Sequence, residues 1–134
     1  IAQRLVRRLC LHCRISDDHP LFLDRVKLAL DNLHVEEIDI SKIKTNLKFY
    51  KANSKGCNEC DNIGYHGRVG LYEVLKMNNE IRKEVMQKKT AIEIEKIAMM
   101  NGMITLEQDG ILKALAGETS LEEVYQVAKK MEFN

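Results

Sequence analysis

The spacing of hydrophobic residues changes along the chain, and these changes predict where helices and strands lie. In the stretch 21–33, "LFLDRVKLALDNL", the apolar positions follow the helical repeat of an amphipathic helix that ends near Asn32. Residues 47–52 and 68–76 instead alternate between apolar and polar side chains and are rich in aromatic and β-branched residues. That pattern is typical of short strands.

Two other segments have mixed patterns. Residues 1–9 begin with the helix-like spacing of Ile1 and Leu5 and continue as a stretch that favours a strand, "LVRRLC". Residues 35–46 combine helical spacing with partial alternation, so they predict no single element. The first half of the chain is therefore expected to contain one clear helix and several short strands.

From residue 78 onward the sequence predicts four consecutive helices. A Ser or Thr three residues before a Glu or Gln predicts a helix start, because each side chain can bind a backbone N–H that the first turn leaves unpaired. The first helix runs from Asn78 or Asn79 to about Lys88, the second from Thr90 with Glu93 to Gly102, the third from Thr105 with Gln108 to Gly117, and the fourth from Thr119 with Glu122, or Ser120 with Glu123, to about Lys130. We therefore expect a mainly α fold with a small β component.

Composition is consistent with a folded domain and makes some functions improbable. The 134 residues are 45% hydrophobic and 31% charged, with seven glycines and one proline, which is typical of a soluble, helix-rich domain. The formal net charge of +1 argues against nucleic acid as the main partner. No apolar run approaches the ~18 residues of a membrane span, so we expect no membrane insertion. The first residue is Ile1, not Met, and lies inside an apolar and basic pattern, so we expect a piece of a longer protein.

The four cysteines of the chain form two matched pairs, Cys10 with Cys13 and Cys57 with Cys60. A C-x-x-C knuckle directs two thiolates toward one point, and two knuckles supply the four sulfur ligands of a tetrahedral zinc. The gap between the pairs is longer than the ~15–20 residues of a simple zinc ribbon. The predicted zinc would therefore fasten an inserted subdomain at its base. Four thiolates leave no position for water, so this zinc would be structural.

Three other interpretations of the cysteines remain open. The four thiols could be ordinary buried residues, or one pair could be a redox switch, although neither pair has the strand-then-helix context of a thioredoxin motif. The chain could also be a zinc-ribbon nucleic-acid module that uses "RLVRR" and the lysines of residues 42–55 on phosphates. His12, inside the first knuckle, is better interpreted as a surface residue than as a ligand.

Nothing in the sequence predicts an active site. The chain has no G-x-x-x-x-G-K-[ST] loop for a nucleoside triphosphate, and it has no G-x-S-x-G or H-E-x-x-H motif. Carboxylate pairs such as Glu36 with Glu37 are better explained as charges near helix ends. We therefore expect no catalysis by this chain alone.

Three motifs in order carry a resemblance to a known family. The stretches "AQRLVRRLCLHC", "GCNECDNIGYHGRVGLYEVL" and "GMITLEQDGILKALAGETSLEEVYQV" resemble the C-terminal end of the secretion-superfamily ATPases of the GspE/PilB type. These hexameric motors power type II secretion and type IV pilus assembly. The family often has Pro after the first cysteine, where this chain has Leu11. Because retraction motors of the superfamily typically lack the four cysteines, the resemblance favours an assembly or export motor.

The resemblance implies a division of the chain and a set of site residues. Residues 1–9 would be the tail of the RecA-like ATPase core, with Ile1–Val6 in a helix; residues 10–76 would be the tetracysteine zinc subdomain; and residues 77–134 would be a C-terminal four-helix subdomain. It further implies zinc ligation by Cys10, Cys13, Cys57 and Cys60, and possible interface or nucleotide-side roles for Arg4, Arg7 and Arg68.

Partners follow from the same resemblance. They would be the chain's own ATPase core, the neighbouring subunits of a homohexamer and an inner-membrane platform protein, at the inner face of the cytoplasmic membrane. ATP and Mg²⁺ would bind only to the full-length parent, because the Walker motifs lie outside this chain. No nucleic acid is expected.

Overall fold

The computed structural model describes residues 1–128, in which short strands and helices follow one another along the chain. The strands are β1 (Ala2–Leu9), β2 (Ile15–Asp17), β3 (Phe49–Lys51) and β4 (Tyr65–Glu73); the α-helices are α1 (Leu23–Asp31), α2 (Ile40–Thr45), α3 (Asn79–Met86), α4 (Ala91–Met100), α5 (Leu106–Leu115) and α6 (Leu121–Val127). A single 3₁₀ turn covers Asn58–Cys60. The expected mainly α fold with a small β component is confirmed. Of the helices in the described residues, none is long and apolar enough to cross a membrane.

The strands form two antiparallel pairs, β1 with β4 and β2 with β3. In the first pair Val6 lies opposite Val69 and Leu9 lies opposite Tyr65, with a bulge between Arg7 and Leu9. The extra residue of the bulge lies on β4, where His66 and Gly67 lie opposite Arg8 alone. Val6 and Leu9 are both buried although they are three positions apart. The predicted strands at 47–52 and 68–76 are thus confirmed as β3 and β4, although β4 begins earlier and ends earlier than expected.

The expectation of a helix at Ile1–Val6 is wrong. These residues belong to β1, which pairs with β4 over most of its length. Ile1 and Leu5, whose spacing suggested a helix, are 95% and 58% exposed, so they do not form a buried helical stripe. The hydrogen-bonded ladder with a distant strand overrides a weak local pattern.

Helix α5 lies against the β1–β4 sheet and supports its open edge. Asp109 Oδ2 accepts a hydrogen bond from the Tyr72 N–H at 2.8 Å, and Lys113 Nζ donates to the Gly70 carbonyl at 2.6 Å. Lys113 also pairs with Asp109 at 2.7 Å. Backbone groups two residues apart on a strand point to the same side, here away from β1. The two side chains therefore occupy the positions where another strand would pair.

Two separate apolar cores hold the helices. The larger core joins α1, β3, α5 and α6 through Val26, Leu30, Phe49, Ile111 and Leu121, all at most 4% exposed. The smaller core lies between α3 and α4 and contains Ile81, Ala98, Met99 and Met103. The helical insertion after β2 therefore packs on α5 and α6, whereas the α3–α4 hairpin packs mainly on itself.

Helix starts follow the predicted capping with one exception. The Thr90–Glu93 and Thr105–Gln108 pairs form complete capping boxes. The fourth helix is capped by Ser120, whose Oγ accepts from the Glu123 N–H, but the Glu123 carboxylate binds Arg7 instead of completing a box. Its expected end near residue 130 lies outside the described residues. The mixed segment 35–46 contains the short helix α2, capped by Asp39.

We expect Gln108→Met to lower the free energy of unfolding by about 1–3 kcal/mol. Gln108 is fully buried, accepts from the Thr105 N–H at 2.9 Å and donates to the Ala29 carbonyl at 2.9 Å. Methionine leaves the Thr105 N–H without this acceptor, whereas the Ala29 carbonyl keeps its bond from the Asn32 N–H at 3.2 Å. Urea unfolding measures the change. The control is Glu93→Met at the equivalent position of the exposed Thr90 box, where water replaces the lost acceptor and the loss should stay below about 1 kcal/mol. Equal losses in the two variants would contradict the assigned role of Gln108.

Candidate metal centre

The structure brings the two cysteine pairs together into one cluster. The four Sγ atoms all lie within 4.8 Å of one another. The Sγ–Sγ distance is 3.6 Å between Cys10 and Cys57, 3.8 Å between Cys13 and Cys60, and 3.8 Å between Cys57 and Cys60. Tetrahedral coordination with zinc–sulfur bonds of ~2.3 Å places neighbouring sulfurs ~3.8 Å apart. The cluster therefore has the dimensions of a four-sulfur metal site.

Both sheets place the knuckles at this point. Cys10 follows the last residue of β1, and Tyr65, the first residue of β4, lies opposite Leu9 and follows the second knuckle closely. On the other side, Ile15 pairs with Lys51 at the base of the β2–β3 pair, shortly after Cys13. The sulfurs thus join the two ends of the insertion between β1 and β4 where the two sheets meet.

A glycine fixes the second knuckle against the first. The Gly64 carbonyl accepts a hydrogen bond from the Cys10 N–H at 3.0 Å, and the Gly64 N–H donates to Cys60 Sγ at 3.2 Å. Its φ of +86° lies in the left-handed region, and a Cβ there would lie 2.7 Å from the Asn53 carbonyl oxygen. Only glycine meets both requirements without strain.

The sulfur environments differ sharply within the cluster. Burial works to raise the pKa of Cys60, but hydrogen bonds from the Cys57 and Gly64 N–H groups outweigh it and lower the pKa to about 6. At Cys13, burial and hydrogen bonds among the thiols raise the pKa to about 12. Four thiols this close cannot all ionise without a cation to balance their charge. A divalent metal supplies that charge and displaces the protons.

No histidine or carboxylate of the described residues joins the four-cysteine group. His12 is exposed, as expected for a surface residue of the knuckle. The cluster therefore offers a closed set of four sulfur ligands with no protein oxygen or nitrogen. Such a set suits a structural ion and leaves no position for a reacting water.

The three arginines singled out from the sequence all lie on the β1–β4 sheet, but they have different partners. Arg7 binds Glu123 through its guanidinium at 2.7 and 2.8 Å and lies over the Tyr65 ring. Arg4 is exposed and donates to the Gln3 carbonyl, and Arg68 is exposed opposite Arg7. Their interface or nucleotide-side roles stay predictions.

Sequence reasoning missed Arg14, which follows the first knuckle directly. Its guanidinium donates to the Gly117 carbonyl at 2.5 Å and lies 4.5 Å from the centre of the Tyr50 ring. Nothing in the spacing of Arg14 indicates a partner so far along the chain. The only available signal was its position beside Cys13.

Comparison with known proteins agrees with this geometry. The model of the family described as "Type II/IV secretion system protein" matches residues 1–126. The chain belongs to this family.

Its relatives include motor proteins from several bacteria. The chain is 40% identical to the type IV pilus assembly ATPase PilB of Thermus thermophilus over 92% of its own length, and 38% identical to PilB of Pseudomonas aeruginosa over 96%. It is 33% identical to the type II secretion system protein E of Xanthomonas campestris pv. campestris over 96% of its length. These matches cover 13%, 20% and 21% of the three relatives, so the chain spans about a fifth of their length or less.

We expect Gly64→Ala to weaken metal binding by about tenfold or more, because the added methyl group displaces the backbone that positions Cys10 and Cys60. Cobalt titration followed by thiolate-to-metal absorption measures the affinity.

The matched control for this variant is Gly67→Ala. Gly67 also has a positive φ, +78°, but a Cβ there meets nothing within 4 Å. Both variants carry the strain of a left-handed alanine, about 1 kcal/mol, but only Gly64→Ala adds the clash. Equal cobalt affinities in the two variants would show that Gly64 does not position the sulfurs.

Proposed function

We propose that this chain is the C-terminal metal-binding and helical region of a hexameric motor ATPase that powers type IV pilus assembly or type II protein secretion. Its role is structural coupling, and it catalyses nothing alone. The relatives named as pilus assembly ATPases and secretion proteins support this proposal. Since the sequence has no phosphate-binding loop, ATP and Mg²⁺ would bind in the rest of the parent protein.

The single observation that carries the metal part of the proposal is the four-sulfur cluster. Soft thiolate ligands and tetrahedral sulfur spacing favour zinc among the common cellular divalent ions. Cys10, Cys13, Cys57 and Cys60 would hold it, and the bound ion would supply a cross-link between the two knuckles. Since the ligand set is closed, the site would contribute folding free energy and no reaction chemistry.

The packing supports a role in transmitting motion. The cross-link would close the base of the insertion that carries α1 and α2, and that insertion shares the larger core with α5 and α6. Elements joined by a metal cross-link at one end and an apolar core at the other move as one rigid body. ATP hydrolysis in the core could then be passed as rigid-body motion to an inner-membrane platform protein at the cytoplasmic face.

An open half-edge of β1 supports docking on the ATPase core. Gln3 and Leu5 lie opposite Tyr72 and Gly70, whose backbone groups point away from β1. The backbone groups of Gln3 and Leu5 therefore point away from β4. Within residues 1–128 the Gln3 carbonyl binds only the Arg4 side chain there. Paired with a strand of the core, residues 1–9 would be its tail, followed by the zinc subdomain at 10–76 and the helical subdomain at 77–134.

Interfaces between neighbouring subunits of the homohexamer would use the exposed cations of the sheet. Arg4 and Arg68 are exposed, whereas Arg7 is already bound to Glu123. Arg4 and Arg68 are therefore the residues free to reach a neighbour or its nucleotide. No nucleic acid and no membrane insertion are part of this proposal.

We expect Cys57→Ser to abolish stoichiometric zinc binding and to lower the melting temperature, because a serine hydroxyl is a poor zinc ligand and the cross-link is lost. Metal analysis of the purified chain by mass spectrometry, together with thermal unfolding, measures both effects. The control is Asn58→Ser, an exposed residue of the same knuckle, which should keep one zinc per chain.

Two further measurements separate the alternatives. Full zinc content and unchanged melting in Cys57→Ser would exclude the four-cysteine site. Zinc-free protein that forms a disulfide under non-reducing conditions would instead indicate a thiol redox switch. A steep, salt-dependent affinity for DNA or RNA would indicate a nucleic-acid module.

We expect Leu5→Glu to weaken hexamer assembly of the intact parent protein without loss of zinc, because a charge on the open edge opposes strand pairing. Analytical ultracentrifugation of the parent measures assembly. The control is Leu21→Glu, which changes a residue that is also exposed (73%, against 58% for Leu5) but lies before α1, outside the sheet. Unchanged assembly in Leu5→Glu would contradict docking through this edge.

A further inference from the structure

The turn between α5 and α6 is bonded to the segments that carry the cysteines through four consecutive residues. These are Gly117, Glu118, Thr119 and Ser120, which follow Ala116. The Gly117 carbonyl accepts from Arg14 at 2.5 Å, and the Glu118 carbonyl accepts from the Leu9 N–H at 2.9 Å. Thr119 Oγ1 donates to the Arg7 carbonyl at 2.8 Å, and Ser120 Oγ lies 3.0 Å from the Tyr65 hydroxyl. We call Arg7, Leu9, Arg14 and Tyr65 the turn clamp.

The turn clamp draws on both knuckles. Leu9 directly precedes Cys10, and Arg14 directly follows Cys13, so two of the bonds flank the first knuckle. Tyr65 follows Gly64, whose backbone binds Cys60 Sγ on one side and the Cys10 N–H on the other. A change in the position of either knuckle therefore moves a partner of the turn.

Arg14 is the most specific member of the turn clamp. Its guanidinium lies against the Tyr50 ring and reaches the Gly117 carbonyl. Gly117 has a φ of +79°, and a Cβ at this position would overlap the Arg14 guanidinium and lie 3.3 Å from the Tyr50 ring. Glycine at position 117 therefore allows the left-handed turn and leaves its own carbonyl accessible to the Arg14 guanidinium.

The turn also determines where α6 lies. Thr119 and Ser120 are buried, and Ser120 caps the helix. One turn further, Glu123 is 5% exposed and binds the Arg7 N–H at 2.9 Å and its guanidinium. The start of α6 is therefore held by polar bonds to residues beside the cysteines as well as by Leu121 in the larger core.

We propose that the four-cysteine site, the turn clamp and α6 form one conformational unit, in which metal occupancy fixes the position of α6 and Arg14 is the positioning residue. This inference rests on the proposed metal site. Coupling of this kind is reciprocal. If the bound metal raises the affinity of a partner for α6 by some factor, that partner, by holding α6 in place, raises the affinity for the metal by the same factor. The metal site then regulates the C-terminal helices as well as fastening the insertion.

Hydrogen exchange with mass spectrometry on the whole chain tests the coupling. Zinc-loaded and chelator-treated protein are compared over residues 115–127, with the α3–α4 hairpin as internal reference because it packs in its own core. We expect metal removal to speed exchange in α6 about tenfold or more, as for loss of an outer-shell support, and to leave α3 and α4 unchanged.

Substitution of Arg14 tests its role separately. Arg14→Met keeps the aliphatic stem and removes the donor to Gly117, so it should still bind one zinc per chain but with affinity reduced about tenfold. The α6 amide hydrogens of this variant should also exchange fast, even in the zinc-loaded protein. Arg14→Lys restores a donor and should recover part of both properties. The control, Arg68→Met, makes the same change at an exposed arginine of the sheet and should match the unmodified chain.

The outcomes distinguish this inference from the function on which it rests. A chain that binds no zinc overturns both. Zinc binding with unchanged α6 exchange after chelation overturns the coupling and leaves the metal site intact. If chelation unfolds the whole chain, the loaded Arg14→Met and Arg68→Met proteins decide: equal zinc affinity and equal α6 exchange would overturn the proposal.

Discussion

The antiparallel pairing of β1 with β4 is the constraint on which the rest of the structure depends. It joins two segments that lie far apart in sequence and ends at Leu9 and Tyr65, beside both knuckles. Closing so long a loop costs conformational entropy that grows slowly with its length. Within the chain, the ladder, the β2–β3 pair and the larger apolar core offset that cost together, and four thiolates on one ion would close the loop at its base.

In the described part of the chain the β1–β4 sheet has two strands, so its edges need other partners. At β4 the Asp109–Lys113 pair of α5 binds the outward backbone groups of Tyr72 and Gly70. In the half of β1 nearer the cysteines, the α5–α6 turn binds the outward backbone groups of Arg7 and Leu9. Helices α5 and α6 are therefore part of the sheet's hydrogen-bonding system as well as its apolar cover. Within residues 1–128 the other half of β1 is the exception, since no other strand pairs with it on its outer side; this is the half-edge through which we propose docking.

Sequence patterns predicted the features that depend on local chemistry. The helix predicted at residues 21–33 and the helix starts predicted at Thr90 and Thr105 are confirmed. The apolar repeat and the capping pairs that predict them each lie within one or two helical turns. The clustering of the cysteines was also predictable, since two matched C-x-x-C pairs are typical of one four-sulfur metal site. The short helix α2 was not predicted, because it buries no residue completely and has only the Asp39 cap as a local signal.

The errors and omissions share a different cause. The spacing of Ile1 and Leu5 resembled the end of a helix, because the pairing of β1 with the distant strand β4 leaves no local signal. Glu123 has the position of a capping-box residue but binds Arg7, more than a hundred residues earlier. Arg14 had no signal beyond its position beside Cys13, because its partner is a carbonyl made accessible by a distant glycine. Each depends on a contact between segments remote in sequence, which periodicity and spacing do not encode.

The separation of the two apolar cores gives these remote contacts a mechanical meaning. Residues around the cysteines are joined to α6 and the α5–α6 turn through six polar side chains, and the insertion joins α5 and α6 through the larger core. The α3–α4 hairpin has its own core, and Glu95 of α4 lies near the sheet, where burial and then the charge of the Glu73 carboxylate raise its pKa. Under the proposed coupling, a displacement applied to β1 would be transmitted to α5 and α6 through these bonds and only weakly to α3 and α4. The hairpin would then change its orientation at little cost while the cysteine cluster, the insertion, α5 and α6 moved together.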